Sequence, residues 1–228
     1  QTLRSAADRI DVHVSTAFRW RHRLMSQMMA ADGTTLLGEV EVKEILFAHS
    51  NKGNRRVHEA RQRGARSCGT AWNECPRDRV LLAVSRMGIV HSIMIGGDAV
   101  VIEDVRAWAM ARLSGRCTVY GLMPRAGPCG SPIRGAGHDY QMVRIAAFTN
   151  NAPGSPHTLN VQAYERRLLA WLRTFRGVAT RYREHYLFWH RLIDADEDLL
   201  WARAAIMRSL ALNRTALKGP DAYTERPP

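Results

Sequence analysis

No uninterrupted apolar run in this sequence approaches the roughly 18 residues that a membrane span needs, and no signal peptide is recognisable, so the expectation is a cytoplasmic protein without a membrane partner. Cysteine is sparse. Cys68, Cys75, Cys117 and Cys129 show no paired zinc-ligand spacing, which argues against a structural zinc site and leaves four free thiols in a reducing compartment. Lysine is scarcer still: three of the 33 basic residues are Lys and thirty are Arg. That skew is the mark of a GC-rich genome before it is a sign of selection for bidentate contacts, although Arg does favour phosphate and guanine. Acidic residues are missing from a whole stretch, with none between Asp104 and Asp139. An initiator Met is missing too, and Gln1 stands inside motif-like text, which leads to the expectation of a truncated N-terminus.

What is present is positive charge on a chain able to fold. A net charge of +12 and a pI near 10.4 point to a polyanionic partner, while an apolar fraction of 46% excludes a simple basic tail. At 228 residues the chain can bury a substantial core, as one catalytic-size domain with a small appendage.

The most informative stretch runs from His157 to Arg191. Val161, Tyr164, Leu168, Trp171, Leu172 and Phe175 recur at helical spacing, with Arg166, Arg167, Arg173 and Arg176 mostly on the other side. Gly177 is a natural stop, and Tyr182, Tyr186, Leu187 and Trp189 begin a second apolar run, so the unit reads as two helices with a short connection. A helical core with a solvated arginine face accounts for the periodicity by itself.

The wording of the stretch adds more. His157, Asn160, Val161, Ala163, Tyr164, Arg167, Leu168, Trp171, Phe175, Gly177 to Thr180, Tyr182, Tyr186, Leu187, Trp189 and Arg191 match, in one register, the C-terminal signature of bacterial insertion-sequence transposases. The chain resembles the ISXO-like group of these DDE-type enzymes. Gln162 stands where that family carries a catalytic-site Asn, and Leu169 where it carries Lys.

The segment Thr2 to Met25 has two short helical patterns flanking Asp11 to Val14. Leu3, Ala6, Ala7 and Ile10 form the apolar side of the first, Ser15 can cap the second, and Ala17, Phe18 and Leu24 turn inward. This is helix-turn-helix spacing, and the family has similar text here. The second helix is expected to carry Ser15, Thr16, Arg19, Arg21, His22 and Arg23 toward a major groove. Asp11 sits where such turns usually hold a left-handed Gly.

Gly38 to Phe47 alternates as a strand. In the family the corresponding strand carries the first metal-binding Asp of a ribonuclease-H-like active site, at the position of Lys43. Two divalent ions must be gripped by carboxylates for in-line attack on DNA, and an ammonium there repels both. Glu41 and Glu44 are the nearest carboxylates and the candidate metal ligands, but neighbouring strand positions face opposite ways. Ser50 to Arg79 is a basic connection with Lys52, Arg55, Arg56, Arg61, Arg63 and Arg66, readable as a phosphate-contacting or solvated loop.

Arg79 to Ile95 reads as a hairpin about Arg86-Met87-Gly88, giving three adjacent antiparallel strands with the first. Gly96-Gly97 then breaks the sheet, and Val101, Val105, Trp108, Ala109 and Leu113 mark a helix; His91 reads as an outward strand residue, and Asp98, Glu103 and Asp104 as helix-start charges. Cys117 to Tyr120 is the fourth strand. The family then has S-D-G with the second catalytic Asp, where this chain has Gly121-Leu122-Met123. The Gly- and Pro-rich text after it fits a loop, Met142 to Ile145 a fifth strand, and Leu199 to Leu210 a terminal helix.

The expectation is therefore an α/β fold. The resemblance implies a ribonuclease-H-like mixed sheet with flanking helices over residues 36–195, preceded by a small all-α helix-turn-helix segment over 1–30 and followed by a C-terminal helix and tail over 196–228. It implies Mg2+, double-stranded DNA at transposon ends as the partner, a homo-oligomer, and DNA cleavage with strand transfer. Glu41, Glu44, Asn160 and Gln162 are the candidate catalytic residues, and Ser15, Thr16, Arg19, Arg21, Arg23, Lys52, Arg55, Arg56, Arg166 and Arg173 the candidate DNA contacts. Lys43, Leu169, Gln162 and the missing second Asp imply an impaired copy that has lost its Mg2+ site, and the alternative is a non-catalytic DNA-binding protein derived from a transposase.

Overall fold

The computed structural model describes residues 2–53, 76–122, 129–143 and 156–195. The chain divides into two compact units: residues 33–195, and residues 1–32 with 196–228. The expected terminal helix, Arg55, Arg56, Cys68 and Cys75 lie outside the described residues.

In the smaller unit, α1 (Leu3–Arg9) starts at Thr2, whose Oγ1 accepts from the Ser5 N–H at 3.1 Å. It ends where the Val12 N–H returns to the Ala7 carbonyl at 3.1 Å, and Asp11 takes φ 49°. The turn thus uses the left-handed conformation for which Gly is the usual residue, at a modest cost in strain. α2 (Val14–Ala30) is capped by His13, whose Nδ1 accepts from the Ser15 N–H at 3.2 Å; Ser15 is not the cap, because the helix begins one residue before it. Ala7 and Ala17 are buried, and small side chains there let the helices approach. Two further expectations fail. Ile10 is exposed because α1 stops before it, and His22 is buried edge-on against Phe18 at 4.4 Å rather than presented to a groove.

The larger unit is built on a five-stranded sheet in the order β3-β2-β1-β4-β5. β1 (Leu36–Ala48) pairs antiparallel with β2 (Arg77–Ser85), which pairs antiparallel with β3 (Val90–Met94) through the Arg86-Met87-Gly88 turn. Gly88 has φ 84°, as a hairpin turn of this kind needs. β4 (Leu113–Leu122) lies parallel to β1 on its other side, and β5 (Asp139–Met142) parallel to β4. This mixed sheet with flanking helices is compatible with a ribonuclease-H-like fold.

Helices cover both faces, so β1 and β2 are buried on both; β2 reads as an apolar run from Val80 to Val84, whereas β1 carries Glu41, Lys43 and Glu44, which then need partners. On one face Val40, Val42, Leu81, Ala83, Cys117 and Val119 pack against Val105, Trp108 and Ala109 of α3 (Ile102–Arg112) and Ile133 of α4 (Gly130–Gly135). On the other, Ile45, Val80, Leu82 and Val84 meet Val161, Tyr164 and Leu168 of α5 (Leu159–Arg173) and Leu187 of α6 (Arg183–Asp194).

Four local readings are corrected. His91 is buried and its Nδ1 accepts from Trp108 Nε1 at 3.1 Å, because α3 covers the face that was read as outward. Val101 precedes α3 and is exposed, while Leu113 already belongs to β4. Part of the Gly- and Pro-rich text is the short α4, which tolerates Pro132 because a first-turn residue needs no intrahelical N–H bond. The fifth strand comes earlier than expected, over Asp139–Met142.

Beyond the end of α5, Arg176 at φ 50° and Gly177 at φ 95° reverse the chain toward α6. Trp171 meets Trp189 edge-on at 5.2 Å, Phe175 meets Tyr186 at 4.9 Å, and Arg167 makes two bonds to Asp194 at 2.6 and 2.7 Å. The connection is stapled to the sheet by buried Asp78, which accepts from Thr180 Oγ1 at 2.6 Å, pairs with His49 Nδ1 at 2.9 Å and forms an ion pair with buried Arg183. The Gly177–Tyr182 motif thus has a structural use in this unit.

Candidate functional site

The parallel pairing of β1 and β4 puts Lys43 directly across from Leu122, the middle residue of the Gly121-Leu122-Met123 text. These are the two positions at which the resemblance calls for metal-binding Asp, so the sheet brings together the positions but not the carboxylates. The Lys43 ammonium forms an ion pair with Glu165 of α5, both side chains only about a fifth exposed. The site therefore holds a closed pair of opposite charges in place of an excess of negative charge.

Glu41 lies on the same face as Lys43, two residues earlier, and its side chain is 0% exposed. Its Oε1 accepts from Asn160 Nδ2 at 2.8 Å and its Oε2 from the Val161 N–H at 3.0 Å, so the first turn of α5 satisfies it. Arg86 Nη1 stands 3.2 Å and His157 Nδ1 3.3 Å from Oε1. Arg86 also reaches Glu39 at 3.4 Å and hydrogen-bonds His157, and Tyr120 Oη donates to Glu39 at 3.2 Å. The Tyr120 hydroxyl is held protonated above its ordinary range by burial and by Glu39. A carboxylate so engaged has no oxygen turned to an outside ion.

Glu44 cannot help it. Three residues on, it faces the α3 and α4 side and is paired with Arg79, which also donates to the Asp98 carbonyl at 2.8 Å. Glu41 and Glu44, the candidate metal ligands, thus lie on opposite faces of the sheet, each engaged by basic partners. Asn160 serves Glu41, and Gln162 donates from Nε2 to Thr158 Oγ1 at 3.0 Å, closing the start of α5. Among the described residues no three His, Cys, Asp or Glu side chains converge as a metal site. The donor set does not fit the Mg2+ pair that the resemblance implies: a hard divalent ion needs several free oxygens on one side, and here a lysine and an arginine stand on that side.

The candidate DNA contacts fall into three groups. Arg19 and Arg23 are exposed on α2, with Thr16 and Arg21 half-buried, and Ser15 is exposed but bonded to His13 at 2.8 Å. Arg166 and Arg173 are exposed on α5. Lys52 Nζ donates to the carbonyls of Phe175 at 3.3 Å and Gly177 at 2.8 Å, in the connection that follows α5.

Sequence reasoning missed Glu165, Arg86 and His157 as the groups around the sheet charges. A signal existed: charged residues inside a strand buried on both faces require partners, and Glu165 is four residues after buried Val161, on the sheet side of α5.

No protein-family model matches the chain, and no curated protein matches it. Among solved structures it is similar to a chain in the crystal structure of a pre-cleavage Mos1 transpososome, at 10% identity and a TM-score of 0.25, over 93% of this chain and 74% of that one. A likeness at that score leaves fold and function to be argued from the sheet and its side chains.

Proposed function

We propose that this chain is a transposase-like protein that binds double-stranded DNA and has exchanged metal-dependent cleavage for a structural ion pair. The observation that carries the reading is the Lys43–Glu165 pair at the centre of the sheet, across from Leu122. Binding needs free cations on a folded body, which Arg19, Arg23, Arg166 and Arg173 supply on a chain of net charge +12. Cleavage needs carboxylates free to hold ions, and those of β1 are engaged by Asn160, Arg86 and Arg79. The helix-turn-helix role of α1 and α2 and the DNA ends of an insertion sequence as target belong to the same proposal.

The test is a supercoiled-plasmid nicking assay in Mg2+ and in Mn2+ beside a binding titration at several salt concentrations. Salt-sensitive retention of duplex DNA without nicking is expected. Nicking that depends on the divalent ion returns the chain to the active transposases and overturns the reading, as does a failure to retain DNA at low salt.

A further inference from the structure

Among the large hydrophobic side chains left exposed in the described residues, Trp20 alone is aromatic, and it is 55% exposed. It lies on α2, and the helical period puts it on one side of that helix with Thr16 four residues before, Arg23 three after and Arg19 beside it. The buried residues of α2 are Ala17, His22 and Met28, of which His22 lies across the helix from Trp20 and Ala17 borders the Trp20 side. Neither Arg19 nor Arg23 forms an ion pair among the described residues. An indole in water forgoes the burial that makes Trp worth placing, and here it stands at the side of two guanidinium groups one turn apart on the same helix.

We infer that Trp20 is a specificity-determining residue that reads duplex DNA through apolar contact with the C5-methyl group of thymine in the major groove; this rests on the proposed DNA-binding reading. Arg19 and Arg23, one turn apart, are placed together for a phosphate row that borders the groove, and the flat apolar ring beside them reaches toward its floor. The thymine methyl is the one apolar group that the floor presents, and aromatic or aliphatic side chains recognise it without a hydrogen bond. A second copy of the chain is a poorer occupant. A two-fold contact through this face would set Arg19 and Arg23 against their own equivalents, with like charges opposed.

The experiment uses the full chain and short duplexes selected by it from a random-sequence library, each thymine then replaced singly by uracil. For the wild type, uracil at one or two positions lowers affinity by about fourfold, the factor carried by burial of one methyl group at ~0.8 kcal/mol. Trp20→Ala loses that penalty at those positions and keeps its affinity for a dG·dC duplex, whereas Trp20→Phe retains part of the penalty. The inference is overturned if Trp20→Ala shows the wild-type penalty at every thymine, if the selected duplexes share no thymine, or if the substitution changes only self-association. A wild-type chain that binds no duplex at any salt overturns the DNA-binding reading itself, so the two failures are distinguishable.

Discussion

At the scale of single residues, Glu41 shows how a buried charge is kept. It has no exposure and is held by an amide side chain, a backbone N–H at a helix start and a guanidinium at 3.2 Å. Glu41→Ala removes the acceptor and leaves Arg86 and the α5 start facing an apolar gap. A loss of about 3 kcal/mol is expected, the low end for breaking a buried pair because Arg86 keeps some contact with water. Urea unfolding measures it, and a loss under about 1 kcal/mol counts against the network as an anchor of α5. How far such residues were legible depended on whether a backbone or a partner defined them. Asp11 was legible, because a turn of that length demands a left-handed residue and the structure puts φ at 49° there. His91 and His22 were not: alternation and helical period give a face, but whether that face is covered depends on α3 for the first and on the packing of the smaller unit for the second.

At the scale of elements, the β2–β3 hairpin could be read from the chain, since a local turn fixes local register, and β1 was expected as its antiparallel neighbour although residues 49–76 separate β1 from β2. The parallel pairing of β4 with β1 could not, because it joins segments some eighty residues apart through α3 and depends on three-dimensional packing. β5 was misplaced for a related reason. A four-residue edge strand carries too little pattern to mark its own ends, and Tyr140 alone turns inward from it. The β1 and β4 register makes a prediction. Lys43→Asp combined with Leu122→Asp sets two carboxylates across from each other beneath Glu165, turning the ion pair into a cluster of negative charge. In chelator the double variant is expected to melt well below the wild type. Millimolar Mn2+ is expected to restore it, since a ligand at a hundred times its Kd contributes about 2.7 kcal/mol. The wild type is expected to show no Mn2+ shift. A double variant indifferent to Mn2+ means that these positions do not converge as the register implies.

At the scale of the whole molecule, two properties follow from sums over many groups. The first is alkaline stability. Burial, with the Glu44 charge second, pushes the Cys129 thiol from 9.0 up to about 12, and burial pushes the Tyr140 phenol from 10.0 up to about 12. Each group holds its proton more tightly folded than unfolded, so the Cys129 contribution is fully present below pH 9 and is lost from 9 to about 12, and the Tyr140 contribution is fully present below pH 10 and is lost from 10 to about 12. Melting temperature is expected to fall across that window. Tyr140→Phe flattens the fall at little cost, because the Tyr140 hydroxyl has no hydrogen-bond partner among the described residues. The second property is the response of DNA binding to salt, where a net charge of +12 says that cations abound but not which of them meet phosphate. Each phosphate neutralised adds about 0.9 to the slope of log affinity against log salt. Arg23, exposed and without an ion pair among the described residues, is expected to account for about one such unit, so Arg23→Ala lowers the slope by ~1 on any duplex sequence. Lys52→Ala is expected to leave the slope unchanged, because that ammonium is turned to the Phe175 and Gly177 carbonyls rather than to a phosphate. Fluorescence anisotropy over a salt series reads both variants. Equal slopes for Arg23→Ala and the wild type would remove α2 from the interface, and a drop for Lys52→Ala would move the interface to the end of α5.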